Sequence, residues 1–180
     1  TFTYTPDADA NGSDSFTITA NDGTVDVVET INVAVAAVND APTIATSTSI
    51  ATDEDTATDA IAFSGVDADG DTLTFSFSDP AKGSVVDNGD GTFAYTPDAN
   101  ANGSDSFTIT ANDGTVDVTE TVAVIINPVN DVPTGNLIYH GKFVENQTLS
   151  ADVTLINDHD GLGNFTYIWK KDGQVITGEN

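Results

Sequence analysis

Cysteine is absent from the 180-residue chain, so neither a disulfide nor a thiolate metal site can hold its fold. Small domains that lack disulfides need another staple, and bound metal is the first candidate. Histidine is almost absent too: only His140 and His159 occur, which argues against zinc or copper. Basic residues are equally scarce. Four Lys and Arg stand against 29 Asp and Glu, a formal net charge of -25. That balance excludes nucleic acid as a partner, because phosphate binding needs clustered Lys and Arg, and it argues against an anionic membrane surface. No apolar run approaches the roughly 20 residues of a membrane span. Methionine is missing even at position 1, and the chain opens in mid-pattern at Thr1-Phe2-Thr3-Tyr4, which reads as an internal segment of a longer protein.

What is present is repetition. Residues 1–44 and 92–135 match at roughly three-quarters of their positions, and Pro97 stands 91 residues after Pro6. A period near 90 is too long for a solenoid unit and suits a whole small domain in tandem, the size of an immunoglobulin-like sandwich. Boundaries at the Val-Asn-Asp-x-Pro stretches divide the chain into residues 1–41, the C-terminal half of one repeat; 42–132, a complete repeat; and 133–180, the opening of a different module. Pro42 and Pro133 remove a backbone donor and fix φ, so these junctions read as short and stiff.

The hydrophobic pattern is that of strands. Phe107-Thr108-Ile109-Thr110-Ala111 alternates with period two, Asn112-Asp113-Gly114 turns the chain, and Thr115 to Ile126 continues with Val116, Val118, Val122 and Val124 on one parity. Leu73 to Phe77 is a further strand, and Asp87-Asn88-Gly89-Asp90-Gly91 is a hairpin turn feeding Phe93-Ala94-Tyr95. No stretch has helical periodicity. The fold class expected is all-β: tandem immunoglobulin-like Greek-key β-sandwiches in an elongated array.

Acidic residues recur at particular places: Asp53-Glu54-Asp55, Asp67-Ala68-Asp69-Gly70-Asp71, Pro97-Asp98-Ala99-Asn100 and Asn130-Asp131. Carboxylates about 4–5 Å apart repel by several kcal/mol at an effective dielectric near 20, so bringing them together calls for a counter-ion. Ca²⁺ takes hard oxygen ligands in flexible geometry, and carboxylates, Asn carbonyls and backbone oxygens supply that set. An EF-hand is excluded, since after Asp67 the glycine falls at the fourth position of the loop and no Glu closes it at the twelfth. A single D-x-D-G can equally be a turn whose Asp side chains bond nearby amides. The repeat favours the metal: Asp158-His159-Asp160-Gly161 keeps the 91-residue phase of Asp67-Ala68-Asp69-Gly70 while the sequence around it diverges. Asp71 reads as a turn residue.

Phe63 to Phe75, with its Asp67-Ala68-Asp69, resembles the stretch of a cadherin repeat that carries the D-x-D calcium motif, and Val129-Asn130-Asp131-Val132-Pro133 resembles that family's junction. Glu54 falls at the place of the early Glu ligand, and Pro97-Asp98-Ala99-Asn100 at that of the Asp-Arg-Glu turn. The match is to the bacterial cadherin-like tandem repeat of large surface adhesins, over residues 1 to about 132. The resemblance implies Ca²⁺ sites that draw ligands from one domain, the junction and the next. The first would use Asp7 and Asp9, Asn39 and Asp40, Asp67 and Asp69; the second Glu54, Asp98 and Asn100, Asn130 and Asp131, Asp158 and Asp160. The ligand turn carries Asp or Asn where cadherins have Glu, and the junction is shorter, which implies fewer ions per junction and weaker affinity.

Residues 133–180 resemble a bacterial immunoglobulin-like module through Asn164 to Gly173 and Val175-Ile176, with Trp169 as a core residue of a middle strand beside Phe165 and Tyr167. No nucleophile motif appears, and short loops leave little room for a substrate cleft, so the segment is not expected to be an enzyme. The resemblance implies an extracellular segment, on a bacterial surface or secreted, that acts as a Ca²⁺-rigidified extender in cell adhesion. Its partners would be neighbouring repeats of the same chain and, through distal domains, a host-cell or biofilm surface, with no nucleic acid and no membrane insertion. The alternatives are direct homophilic or glycan adhesion by the repeats, and a spacer on a secreted enzyme.

Overall fold

A computed structural model describes residues 1–141 and 149–175, and all its regular structure is β; no helix occurs among the described residues. The chain forms two compact units, Thr1–Ile126 and Asn127–Asn180. Of the residues singled out in the sequence, Ile176 lies outside the described set.

The first unit contains a long hairpin, β1 (Gly12–Asn21) with β2 (Asp26–Val35), followed by a sandwich. Eight strands make the sandwich: β3 (Thr43–Thr46), β4 (Ser49–Asp53), β5 (Ile61–Val66), β6 (Thr74–Phe77), β7 (Gly83–Asp87), β8 (Thr92–Pro97), β9 (Gly103–Asn112) and β10 (Asp117–Asn127). One sheet has the order β4-β10-β9-β6 and the other β3-β5-β8-β7. The chain changes sheet at each of the first four connections, then closes with the hairpins β7–β8 and β9–β10.

Period-two alternation decides which side chains meet between the sheets. Phe107 and Ile109 on β9 and Val122, Val124 and Ile126 on β10 face Phe63 on β5 and Phe93 and Tyr95 on β8. Phe63 meets Phe75 and Phe77 edge-on with ring centroids 5.0 and 5.4 Å apart, and Phe93 meets Phe107 at 5.5 Å. The opposite parity of β10, from Asp117 through Thr119 and Thr121, is exposed. The β7–β8 turn forms where the Asp-Asn-Gly-Asp-Gly run predicts it: Gly89 and Gly91 take φ of 75° and 82°, and Asp87 and Asp90 accept the amides of Gly89 and Thr92.

A polar pin crosses one edge of this core. Tyr95, with no exposed surface, donates its hydroxyl to Asp105 Oδ2 at 2.7 Å. The same carboxylate accepts the amides of Ala81 and Lys82 at 3.0 and 2.9 Å, which ties down the loop entering β7. A Cβ at Gly83 would stand 2.5 Å from Thr96 O and 2.6 Å from the Tyr95 hydroxyl, so the pin needs glycine there. Burial alone would raise the Asp105 pKa, but hydrogen bonds from Tyr95, Lys82, Ser106 and Ala81 outweigh it and hold the carboxyl below its ordinary value.

The β1–β2 hairpin is the 91-residue counterpart of β9–β10, with Phe16 opposite Ile31 as Phe107 is opposite Val122. It repeats the pin as well, Tyr4 donating to Asp14 Oδ2 at 2.7 Å. Among the described residues it forms a two-stranded sheet of its own, and Ile18 is 43% exposed where its counterpart Ile109 is fully buried.

The second unit holds three short antiparallel pairs: β11 (Thr134–Gly135) with β14 (Ile156–Asn157), β12 (Ile138–His140) with β13 (Ser150–Asp152), and β15 (Lys170–Lys171) with β16 (Gln174–Val175). The strand expected through Phe165, Tyr167 and Trp169 does not form. Residues 161–169 lie in no strand, so alternation has no ladder to express it; Trp169 is half-buried, while Phe165 and Tyr167 are exposed.

Tyr95→Phe removes one hydrogen bond to a charged acceptor and no packing volume, and is expected to lower stability by about 2 kcal/mol in chemical denaturation. Asp105→Ala, which also strips the loop amides of their acceptor, is expected to cost more. Equal stabilities for wild type and Tyr95→Phe would remove the pin from the account.

Candidate metal centre

The first Asn-Asp junction lies inside the first unit. Asp69 Oδ2 accepts the amide of Asp40 at 2.7 Å, and Asp67 Oδ1 accepts the amides of Asp69 and Asp71 at 2.9 and 3.2 Å. The D-x-D-G turn therefore fixes the Asp69 carboxylate against the linker and that of Asp67 within the turn, with Gly70 at φ 81°. Asp67 Oδ2 is sheltered from solvent and has no hydrogen-bond partner. A buried acceptor without a donor is costly and needs an explanation; a bound cation is one.

Asp9, at φ 59° in the turn before β1, lines a cleft of about 250 Å³ together with Asp40 and Asp69. The charge of Asp9 is the largest influence on Asp40; burial, the charge of Asp69, a hydrogen bond with Asp9 and the charge of Asp67 follow, and all raise its pKa. Four of the six residues expected at this junction thus act on one another. Asn39 joins them differently: its Nδ2 donates to Asp40 O at 3.0 Å and to Asp113 Oδ2 at 2.9 Å. Asp7 does not join. It is exposed, and its charge bears instead on the Tyr4 phenol, whose pKa is raised first by the hydrogen bond to Asp14.

Asp113 is the residue that sequence reasoning missed. It reads as the middle of an Asn-Asp-Gly turn, and it does cap that turn, accepting the amides of Thr115 and Val116 at 2.6 Å each. It is also only 8% exposed and takes Asn39 from 74 residues away. The hydrogen bond from Asn39, followed by those from Val116 and Thr115, holds its carboxyl below the ordinary value.

The residues expected at the second junction fall in both units. In the first, Glu54 is 2% exposed, and Asn102 Nδ2 lies 3.3 Å from its Oε2. Asn100, at φ 54°, gives its amide to Asp55 Oδ1 at 2.9 Å. Asp98 is exposed and anchored by its backbone to Lys82 O at 2.8 Å. In the second unit, Asp160 Oδ2 accepts the amide of Asp131 at 2.6 Å, Asp158 Oδ1 accepts that of Asp160 at 3.0 Å, and Asn130 Nδ2 donates to Asp131 O at 2.7 Å. His159 is exposed beside them. His140 pairs with Asp152 across β12 and β13 at 2.9 Å, away from the Asn-Asp motif in sequence. Among the described residues no three carboxylates or imidazoles converge closely enough to hold an ion as they stand.

The bacterial cadherin-like domain family matches residues 39–128, from the first Asn-Asp to the end of β10. The chain belongs to this family. The cadherin-like domain so defined is the eight-stranded sandwich together with the linker latched to it. Among solved structures, an endo-fucoidan hydrolase from glycoside hydrolase family 107 and a variant of it are similar at 20% and 22% identity, with TM-scores of 0.36 and 0.37. Each comparison covers 69% of this chain and 20% of the other, so the chain spans about a fifth of those enzymes, and a likeness this slight carries no argument. No curated protein matches the chain.

The acidic groups of the cadherin-like domain oppose one another in their effect on stability. Asp113 and Asp105 are held below the ordinary value, so each contributes stability above the unfolded-state pKa near 4, and that contribution is lost as pH falls through the folded value. Asp40 is held above it, so its carboxylate opposes folding at neutral pH and the penalty fades as pH falls through the raised value. In the presence of chelator, Asp40→Asn is therefore expected to raise the melting temperature by about a degree or two, and Asp113→Asn to lower it. A fall for both would reject the crowding at Asp40.

Proposed function

We propose that the chain is a calcium-binding extracellular repeat segment of a bacterial adhesin-type surface protein, in which Ca²⁺ at each Asn-Asp junction stiffens one domain against the next. The observation that carries this reading is the sheltered, unpartnered Asp67 Oδ2 in a group where Asp9, Asp67 and Asp69 crowd Asp40. The donors are all hard oxygens and no histidine belongs to the group, which suits calcium better than zinc or copper. At the first junction Asp9, Asp40, Asp67 and Asp69 would hold the ion, with Asp7, Asn39 and Asp113 at the edge of the set. At the second, Asn130, Asp131, Asp158 and Asp160 form the equivalent set within the second unit. Bound Ca²⁺ supplies the positive charge that lets these carboxylates share a small volume. The protein's share is to hold them there, with the D-x-D-G turn pinning one oxygen of Asp67 and one of Asp69 on backbone amides.

Family membership supports an extracellular setting, and among the described residues no helix is long and apolar enough to cross a membrane. Residues 133–180 are read as the start of an immunoglobulin-like module with Trp169 in its core. The segment is read as a non-enzyme whose partners are neighbouring repeats, with distal domains making any contact to a cell or biofilm.

Saturating Ca²⁺ is expected to raise the melting temperature and to lengthen the particle in X-ray scattering, while Mg²⁺, which prefers its own water shell, does neither at equal concentration. Asp67→Asn is expected to reduce the calcium-induced shift by more than half. A calorimetric titration with no heat of Ca²⁺ uptake at millimolar concentration would reject the proposal.

A further inference from the structure

The hydrogen bonds at the two Asn-Asp junctions need no ion, and they run in one direction. At the first, Asp40 N meets Asp69 Oδ2, Asp69 N meets Asp67 Oδ1, and Asn39 Nδ2 meets Asp40 O. At the second the same three bonds recur between Asp131 and Asp160, Asp160 and Asp158, and Asn130 and Asp131. The threonine after each junction proline repeats as well: Thr43 Oγ1 donates to Val66 O at 3.1 Å, and Thr134 Oγ1 to Asn157 O at 3.4 Å. Each of these bonds that leaves the motif goes to a residue C-terminal to it. The modules that follow differ in sequence, yet the short strand pair beside each junction keeps its register, Thr43 opposite Val66 and Thr134 opposite Asn157, so the polar bonds recur together with that backbone pairing.

The upstream contact is of the opposite kind. Asp9 meets Asp40 as one carboxyl against another, which is attractive only when a proton or a cation lies between them. Ala36, Ala37 and Val38, between β2 and Asn39, lie in no strand and are exposed. We infer that each Asn-Asp-x-Pro-Thr segment is latched to the module downstream of it without metal, as a fixed lip of that module. Movement at the first junction is then confined to residues 36–38. The consequence rests on the calcium reading: the ion has only to capture the upstream Asp7 to Asn11 turn. The latch itself does not rest on that reading.

Residue-resolved amide hydrogen exchange on the 180-residue chain, in EGTA and in Ca²⁺, tests both. In EGTA, the Asp40 and Asp131 amides are expected to exchange about tenfold or more slowly than free amides, as a charged acceptor allows. Asp69→Ala abolishes this at Asp40 and leaves Asp131 protected. Asp69→Asn, which keeps an acceptor oxygen, retains most of it, and Asp9→Ala leaves it unchanged. Calcium then adds protection at residues 7–11. Asp40 and Asp131 amides that are unprotected in EGTA and slowed only by Ca²⁺ would overturn the latch while leaving calcium binding intact. Protection in EGTA with no response to Ca²⁺ anywhere would establish the latch and remove the calcium reading.

Discussion

Like-charge repulsion between carboxylates is the constraint on which this molecule turns. Its core is ordinary: aromatic and branched aliphatic side chains from two sheets, worth about 25 cal/mol for each Å² of apolar surface removed from water. The surface is not ordinary, because a net charge of -25 on 180 residues has almost no basic side chain to pair with. The acids therefore sort by what else they can bond. Asp22, Asp105, Asp113 and Asp152 each accept backbone amides, with a hydroxyl or a side-chain amide added, and all are held below their ordinary pKa. Asp40 has other carboxylates as neighbours and is held above it. That division separates an acid that builds a turn from one crowded by other acids, and composition alone does not reveal it.

The 91-residue repeat supplies an internal control. Tyr4 with Asp14 and Tyr95 with Asp105 keep the same 2.7 Å bond, and the two long hairpins keep the same register. One hairpin lies under a second sheet and the other does not. Local sequence is thus sufficient for register and turn, through the Asn-Asp-Gly corner and the alternation of Phe, Ile and Val. Burial is a property of the partner sheet, which is why Ile18 and Ile109 differ so widely in exposure within nearly identical segments.

The same distinction explains how much was legible beforehand. Alternation located β6, β8, β9 and β10 and the parity of Val122 and Val124, because one face of each strand is buried. The 91-residue phase of the two D-x-D-G turns pointed to Asp67, Asp69, Asp158 and Asp160; Asp69 and Asp160 make equivalent bonds to the linker, and Asp67 and Asp158 accept the amides of Asp69 and Asp160. Asp113 escaped because its local role as a turn cap accounts for it fully; its second partner, Asn39, is distant in sequence and no periodicity announces it. Asn102 and Asp55, which bond Glu54 and Asn100, escaped for the same reason. The strand through Trp169 was expected from alternation alone, and alternation without a hydrogen-bonded neighbour does not make a strand.

A junction made of Asp and Asn has a property that an apolar junction lacks. Each carboxylate has two oxygens, and at Asp67 they are used differently: Oδ1 takes two backbone amides, while Oδ2 is sheltered with no donor. The first set of bonds orders the group when the turn folds, so a ligand arriving at the second oxygen meets a side chain whose rotamer is already fixed. Interaction with the upstream domain is left to charges that repel on their own. Phe93, Phe107 and their neighbours hold the sandwich together, while Asp9, Asp67 and Asp69 crowd Asp40 at its rim; on the calcium proposal, occupancy of those oxygens would set the stiffness of the junction separately from the folding of the domain.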